Sequence, residues 1–263
     1  MKTGARVFSL GAATAAVLVL FASGAAAQDF RWHGAIAEGR SIEVKGVNGD
    51  IIAEPSGSNE VEVTAEKRSR RDNPEDVRIE VVPHAGGVTI CAVYPSREGR
   101  PNECAPGKGG RMNVQNNDVT VRFTVRVPAG VAFVGKTVNG EVEATRLNGD
   151  IDLDTVNGSV TFSTSGTGRA STVNGSIRGE MGRADWSDTL GMSTVNGSIT
   201  LTLPSSLSAD LRASTLNGDI SSDFPMTIQG KMSPRSMRGT IGNGGPRLEL
   251  STVNGPIELK KAN

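Results

Sequence analysis

Eight Asn-Gly dipeptides, several set in near-copies of one hexapeptide, constrain this chain more than any other feature. They are Asn48-Gly49, Asn139-Gly140, Asn148-Gly149, Asn157-Gly158, Asn174-Gly175, Asn196-Gly197, Asn217-Gly218 and Asn254-Gly255. The flanks repeat as well: Thr155-Val156-Asn157-Gly158-Ser159-Val160, Thr172-Val173-Asn174-Gly175-Ser176-Ile177, Thr194-Val195-Asn196-Gly197-Ser198-Ile199 and Thr215-Leu216-Asn217-Gly218-Asp219-Ile220. Asn and Gly accept positive φ more readily than other residues, so each pair marks a tight corner between strands. The apolar residue before Asn and the one two after Gly are expected to point inward. Past each corner the chain alternates, with Ile151 and Leu153 against Asp150, Asp152 and Asp154, and Ile199, Leu201 and Leu203 against Thr200 and Thr202. One face of each strand is then core and the other solvent.

From Asn139 the intervals between pairs are 9, 9, 17, 22, 21 and 37, the last holding a degenerate copy, Ile241-Gly242-Asn243-Gly244. An antiparallel meander or sandwich joined by Asn-Gly hairpins accommodates the shortest interval. A β-solenoid accounts for more: it stacks each coil on the last, which explains why the flanks are near-identical, and two nine-residue steps make one further coil. The expected fold is therefore all-β, a single-stranded β-solenoid or β-helix-like stack of short strands with Asn-Gly corners. In it Val156, Val173 and Val195 stack as neighbours.

Composition agrees: the chain is 37% hydrophobic but 4% aromatic, with 33 glycines, a mixture suited to thin sheets and sharp turns rather than long amphipathic helices. Residues 1–27 read as a signal peptide, with Lys2 and Arg6, an apolar run to Phe21 and a small-residue site at Ala25-Ala26-Ala27. The alternative, a retained anchor, needs about 20 apolar residues, and this run is shorter and softened by Ser9, Gly11 and Thr14. No transmembrane span is expected after its removal. The expected location is the periplasm or cell surface of a bacterium. There Cys91 and Cys104 are expected to form a disulfide across a Pro- and Gly-rich loop. Residues 28–130, with longer alternating runs such as Val119–Val127, are expected to cap the stack, and residues 131–263 to form the repeat region continuous with it.

Taking Lys2 and Arg6 from the 28 basic residues leaves 26 against 28 acidic ones, without the basic excess that a nucleic-acid partner would require. The densest basic run, Lys67-Arg68-Ser69-Arg70-Arg71, meets Asp72, Glu75 and Asp76 at once and reads as a solvated loop.

The exported start, Gly46-Val47-Asn48-Gly49-Asp50-Ile51, the step Val127-Pro128-Ala129-Gly130-Val131 and the ladder of Val-Asn-Gly-[Asp/Ser]-[Ile/Val] copies together resemble the bacterial putative-adhesin family of β-strand-repeat proteins, a domain of unknown function. The resemblance spans about Ile42 to Leu259 and implies a fold and an adhesin-like role. It supplies no catalytic residues.

Gly130–Thr137 satisfies the phosphate-loop pattern, yet Val131, Ala132, Phe133 and Val134 favour a strand where a small-residue loop and a helix are needed, so no nucleotide is expected. The only histidines, His33 and His84, sit in no recognisable nucleophile setting, and two histidines with a bridged cysteine pair do not make a zinc site. Asp150, Asp152 and Asp154 share one strand face, with Glu141 and Glu143 in the same phase, and are a weak calcium candidate. Their plainer reading is a solvated face that discourages aggregation. No cofactor and no catalytic residue are assigned. The functional expectation is a non-catalytic envelope or surface protein, an adhesin-like binding or scaffold module engaging an envelope component, a surface or a partner protein. The alternatives are a periplasmic sensory or regulatory accessory of an envelope-stress system and a carbohydrate-active β-helix enzyme using paired carboxylates.

Overall fold

An Asn-Gly corner every 17 to 22 residues leaves room for two short strands per coil, and the chain folds that way. The computed structural model describes residues 30–96, 99–228 and 233–262, so the expected signal segment 1–27 lies outside the described residues. Every coil gives one strand to an 11-stranded sheet and the next to a 10-stranded sheet. The coil 151–164, for example, runs Ile151–Asp154 in the first sheet, turns at Asn157-Gly158 and continues as Val160–Thr164 in the second. Neighbouring coils pair in parallel and in register, Val160 beside Ile177 and Ile177 beside Ile199. This is the expected solenoid. Ile151, Leu153, Val160, Phe162, Ile177, Leu190, Ile199, Leu201, Leu248 and Ile257 fill the space between the sheets as part of one continuous core. The core is thin: a Cβ at Gly168 or Gly179 would stand 2.6 or 2.4 Å from the ring of Phe162, which explains glycine at these inward positions.

The corners stack into a row, Asn48, Asn139, Asn157, Asn174, Asn196, Asn254 and Asn217, each bridged to the next. At Asn157 the backbone N–H donates to the Val138 carbonyl (2.7 Å), the side-chain Nδ2 donates to Asn139 Oδ1 (2.8 Å), and Thr155 Oγ1 donates to the Gly140 carbonyl (2.9 Å). The pattern recurs at the other steps, with Thr137, Thr172, Thr194, Thr215 and Thr252 also buried and bonded to a glycine carbonyl of the adjacent coil. A buried hydroxyl is tolerable here because its hydrogen bond is made.

Two expectations are corrected at this corner. The apolar residue before Asn faces outward: Val138, Val156, Val173, Val195 and Val253 are 37–39% exposed and Leu216 is 60% exposed, while the threonine before each points in. The valines do stack, as the Val173 N–H donating to the Val156 carbonyl shows, but on the outside of the corner. Glycine is also required for a different reason. In the row only Gly49 and Gly255 have positive φ in the left-handed range, whereas a Cβ at Gly140, Gly158, Gly175, Gly197 or Gly218 would lie 2.0–2.1 Å from the neighbouring coil's glycine carbonyl oxygen. Close approach, not turn geometry, selects glycine at these five positions.

Asn148-Gly149 turns at the opposite corner of the coils, where Asn148 and Gly149 carbonyls accept from Gly130 N–H and Thr164 Oγ1. The segment Ile241–Gly244 takes no place in the row; it turns the chain out of the strand Ser236–Ile241.

Spatial order departs from chain order at both ends. After the coil 41–55 the chain builds Val61–Arg68, Arg78–His84, Gly87–Val93 and Thr120–Val127 on one side of that coil, then returns at Ala132–Lys136 to stack on the other. After the coil 190–203 it skips one place, lays down 209–222 and the antiparallel strands Met226–Ile228 and Ser236–Ile241, and comes back so that 247–261 fills the gap. Of the four outermost strands, Phe30–Gly34, Arg78–His84 and Met226–Ile228 pair antiparallel and Ile220–Ser222 pairs parallel, and Pro83 removes a donor from one open edge.

Candidate functional site

Because the corner residues are consumed by coil-to-coil bonds, chemistry is left to the outward positions of the strands and to the loops. On the 11-stranded sheet those positions form two rows. One carries Glu43, Asp152 and Arg169, the other Lys45, Lys136, Asp154, Ser171, Ser193 and Ser251.

At the N-terminal end of this face the disulfide Cys91–Cys104 forms as expected. It draws the residues after Cys104 down over the sheet. Lys45 Nζ donates to the carbonyls of Ala105 (2.5 Å), Gly107 (2.8 Å) and Gly109 (3.3 Å), while Gly107 N–H and Thr89 Oγ1 both donate to Glu43 Oε2 at 2.9 Å. Glu43 is buried, and its second oxygen makes no hydrogen bond but lies 3.7 Å from Lys45 and 3.6 Å from Lys136. Burial lowers the Lys45 pKa despite the attraction of Glu43, and the Lys136 charge adds to that lowering. The phosphate-loop-like stretch is thus a strand, Ala132–Lys136, whose lysine serves Glu43 and, at 3.9 Å, Asp154.

Farther along, a depression of about 360 Å³ opens between Asp152, Asp154, Arg169, Ser171, Ser193 and Glu249. It exists because Gly191 has no side chain there: a Cβ added at Gly191 meets nothing within 4 Å. Asp152 has its pKa raised, first by burial and then by the Asp154 charge, with Lys136 and Arg169 opposing. Ser171 Oγ donates to Asp154 Oδ1 in a short contact. The lining offers carboxylate and hydroxyl acceptors, hydroxyl donors and one guanidinium, a set suited to hydrogen-bonding a polar surface.

The calcium candidate is only partly assembled. Asp152 and Asp154 stand on this face, but Asp150 sits at the corner and accepts at Oδ1 from the Thr167 N–H (2.9 Å) and hydroxyl (2.8 Å). Glu143 lies on Val142–Leu147 of the other sheet and Glu141 just before it, so neither shares the aspartates' face. Among the described residues no three His, Cys, Asp or Glu side chains are grouped to hold a metal ion. His33 pairs with Glu60 (3.2 Å), and His84 accepts from the Gly86 N–H and contacts Thr89 Oγ1 at 3.1 Å. The basic run is divided: Lys67 is buried and bonded to the Val77 carbonyl, Arg68 pairs with Glu66 and Arg71 with Asp118. Sequence reasoning missed Glu43, Lys45 and Gly191. Glu43 and Lys45, alternating with Ile42 and Val44, signal an outward face, but nothing in the pattern shows that the loop after Cys104 covers it.

A family model described as Toastrack DUF4097 matches residues 136–260. Among solved structures, a putative cell adhesion protein from Clostridium sporogenes is 11% identical with a TM-score of 0.50, over 89% of this chain and 100% of that one. A putative adhesin from Bacteroides fragilis is 10% identical with a TM-score of 0.35, over 89% of this chain and 97% of that one. The first likeness is one of fold. No curated protein matches.

Proposed function

We propose that this chain, whose residues 136–260 match the Toastrack DUF4097 family model, is a non-catalytic module exported to the periplasm or cell surface, where it binds or scaffolds an envelope component in the manner of an adhesin. The observation that carries this reading is the division of labour in the repeat. Threonine, asparagine and glycine of each corner are spent on coil-to-coil bonds, which makes a stiff scaffold, and the outward rows are left to vary and to present polar groups around Gly191. A rigid sheet face needs little ordering on binding, which favours its use as a docking platform. The disulfide accords with an oxidising compartment.

The test fills the depression. Beads coated with the protein are incubated with envelope fractions in calcium and in chelator, beside beads coated with the Gly191→Trp variant. Saturable retention by the wild type and its loss in Gly191→Trp are expected; envelope fractions that pass both unretained sink the reading. Whether the module stands outside the cell is decided by adding protease to intact cells, which removes a surface-displayed protein and spares a periplasmic one.

A further inference from the structure

The six side-chain bonds of the asparagine row all run one way, each Nδ2 donating to the Oδ1 of the coil nearer the N-terminal cap: Asn217 to Asn254, Asn254 to Asn196, Asn196 to Asn174, Asn174 to Asn157, Asn157 to Asn139 and Asn139 to Asn48. The row therefore ends in a donor, Asn48 Nδ2, that has no partner among the described residues. Aligned amides polarise one another, so this terminal N–H is a stronger donor than an isolated amide. In the adjoining cap Asn117, the nearest asparagine before Thr120–Val127, accepts at its Oδ1 from the Val119 N–H and does not extend the row.

At this end lies a cavity of about 540 Å³ lined by Asn48, Asp50, Glu66, Arg68, Thr120 and Arg122, within the roughly 300–1,000 Å³ range of small-molecule sites. Its charges are matched locally, Arg122 to Asp50 at 2.8 Å and Arg68 to Glu66 at 3.0 Å. A free anion would meet Asp50, Glu66 and Asp118; a free cation would meet the two guanidiniums. A neutral ligand that both donates and accepts at closely spaced oxygens satisfies the whole lining. We infer that the donor end of the asparagine row is a binding site for a neutral saccharide, with Asn48 Nδ2 donating to a sugar oxygen and Asp50 and Glu66 accepting from hydroxyls. This deepens the binding-module reading and rests on it.

Binding of chitotetraose, a neutral probe, and of tetragalacturonate, its anionic counterpart, is measured by titration calorimetry on the wild type and three variants. Asn48→Asp keeps an oxygen for Asn139 Nδ2 but removes the terminal donor; Arg122→Gln alters the lining from an exposed strand position and decides the matter if Asn48→Asp melts early; Arg238→Gln, exposed on the strand Ser236–Ile241 at the far end of the other sheet, is the distant control. Chitotetraose is expected to bind in preference to the uronate, with affinity cut at least about tenfold, or about 1.4 kcal/mol, by Asn48→Asp and by Arg122→Gln and unchanged in Arg238→Gln. Wild-type affinity in Asn48→Asp with an unchanged melt, preference for the uronate, or no binding of chitotetraose overturns the inference. If envelope retention still depends on Gly191 in that case, the site assignment alone has failed; if retention is absent too, the binding-module reading has failed with it.

Discussion

Replacing Gly158 by alanine isolates the claim that the repeat glycines are there to let coils touch. The new Cβ would stand 2.0 Å from the Gly140 carbonyl oxygen and 2.6 Å from its carbon, where ordinary contact begins at 3.4 Å. The two coils must therefore part by more than 1 Å at that corner. Three bonds made at that step are then stretched past useful length: Asn157 N–H to the Val138 carbonyl, Asn157 Nδ2 to Asn139 Oδ1 and Thr155 Oγ1 to the Gly140 carbonyl. At about 1 kcal/mol each the loss is about 3 kcal/mol. Alanine's lower unfolded-state entropy offsets only about 0.4–1 kcal/mol of it. The net, about 2–3 kcal/mol, is a large part of a total stability of roughly 5–15 kcal/mol. Gly191→Ala is the internal control, because its Cβ meets nothing within 4 Å and its φ lies outside the left-handed range; it should be neutral or slightly stabilising. Equilibrium unfolding in urea, followed by circular dichroism, gives both values from the midpoint and slope. A Gly158→Ala protein within about 1 kcal/mol of wild type, or an equal loss in Gly191→Ala, refutes the argument.

Reducing the Cys91–Cys104 bridge, which closes a separation of 13 residues, should cost about 3 kcal/mol of stability by loop entropy, measured as a shift of the urea midpoint with and without reductant. It should also release the carbonyls around Lys45, seen as faster amide exchange at Gly107. The raised pKa of Asp152 makes its ionised form unfavourable in the folded state, so stability is lowered above the folded pKa and recovered as pH falls toward the ordinary value of 3.8. Asp152→Asn should accordingly be more stable than wild type at neutral pH, and the gap should close in acid. A melting comparison at pH 7 and pH 3 that shows a constant gap contradicts this assignment.

How far the sequence speaks depends on which physical rule each residue obeys. The strands were legible at Ile151–Asp154 and Ile199–Leu203 because strict alternation follows from the pleat, and the stack was legible because near-identical flanks at Asn157, Asn174 and Asn196 imply repeated neighbours. The corner itself was misread. Alternation breaks there, so the hydrophobicity of Val156 points it inward, when it is the Thr155 hydroxyl that is drawn in by a carbonyl of the neighbouring coil. That carbonyl is distant in sequence and leaves no local mark. The aspartates illustrate the same limit: Asp152 and Asp154 share a face as alternation requires, but whether Glu141 and Glu143 join them depends on which sheet their strand enters. The Asn48 cavity and the covering of Glu43 arise from the cap and the cysteine loop, which follow no repeat.

The displaced coil 247–261 determines when the protein can finish folding. Its slot between 190–203 and 209–222 exists from the moment those segments form, yet the residues that occupy it come after both in the chain. The coil 41–55 likewise waits about 90 residues for Ala132–Lys136. Local stacking of 132–203 can proceed as the chain emerges, but closure waits for 247–261 and carries the loop-entropy cost of the intervening segment. A chain that ends before Arg247 is therefore more than a shortened stack: the missing coil leaves two facing edges of unpaired amides and carbonyls, open to strands from other molecules.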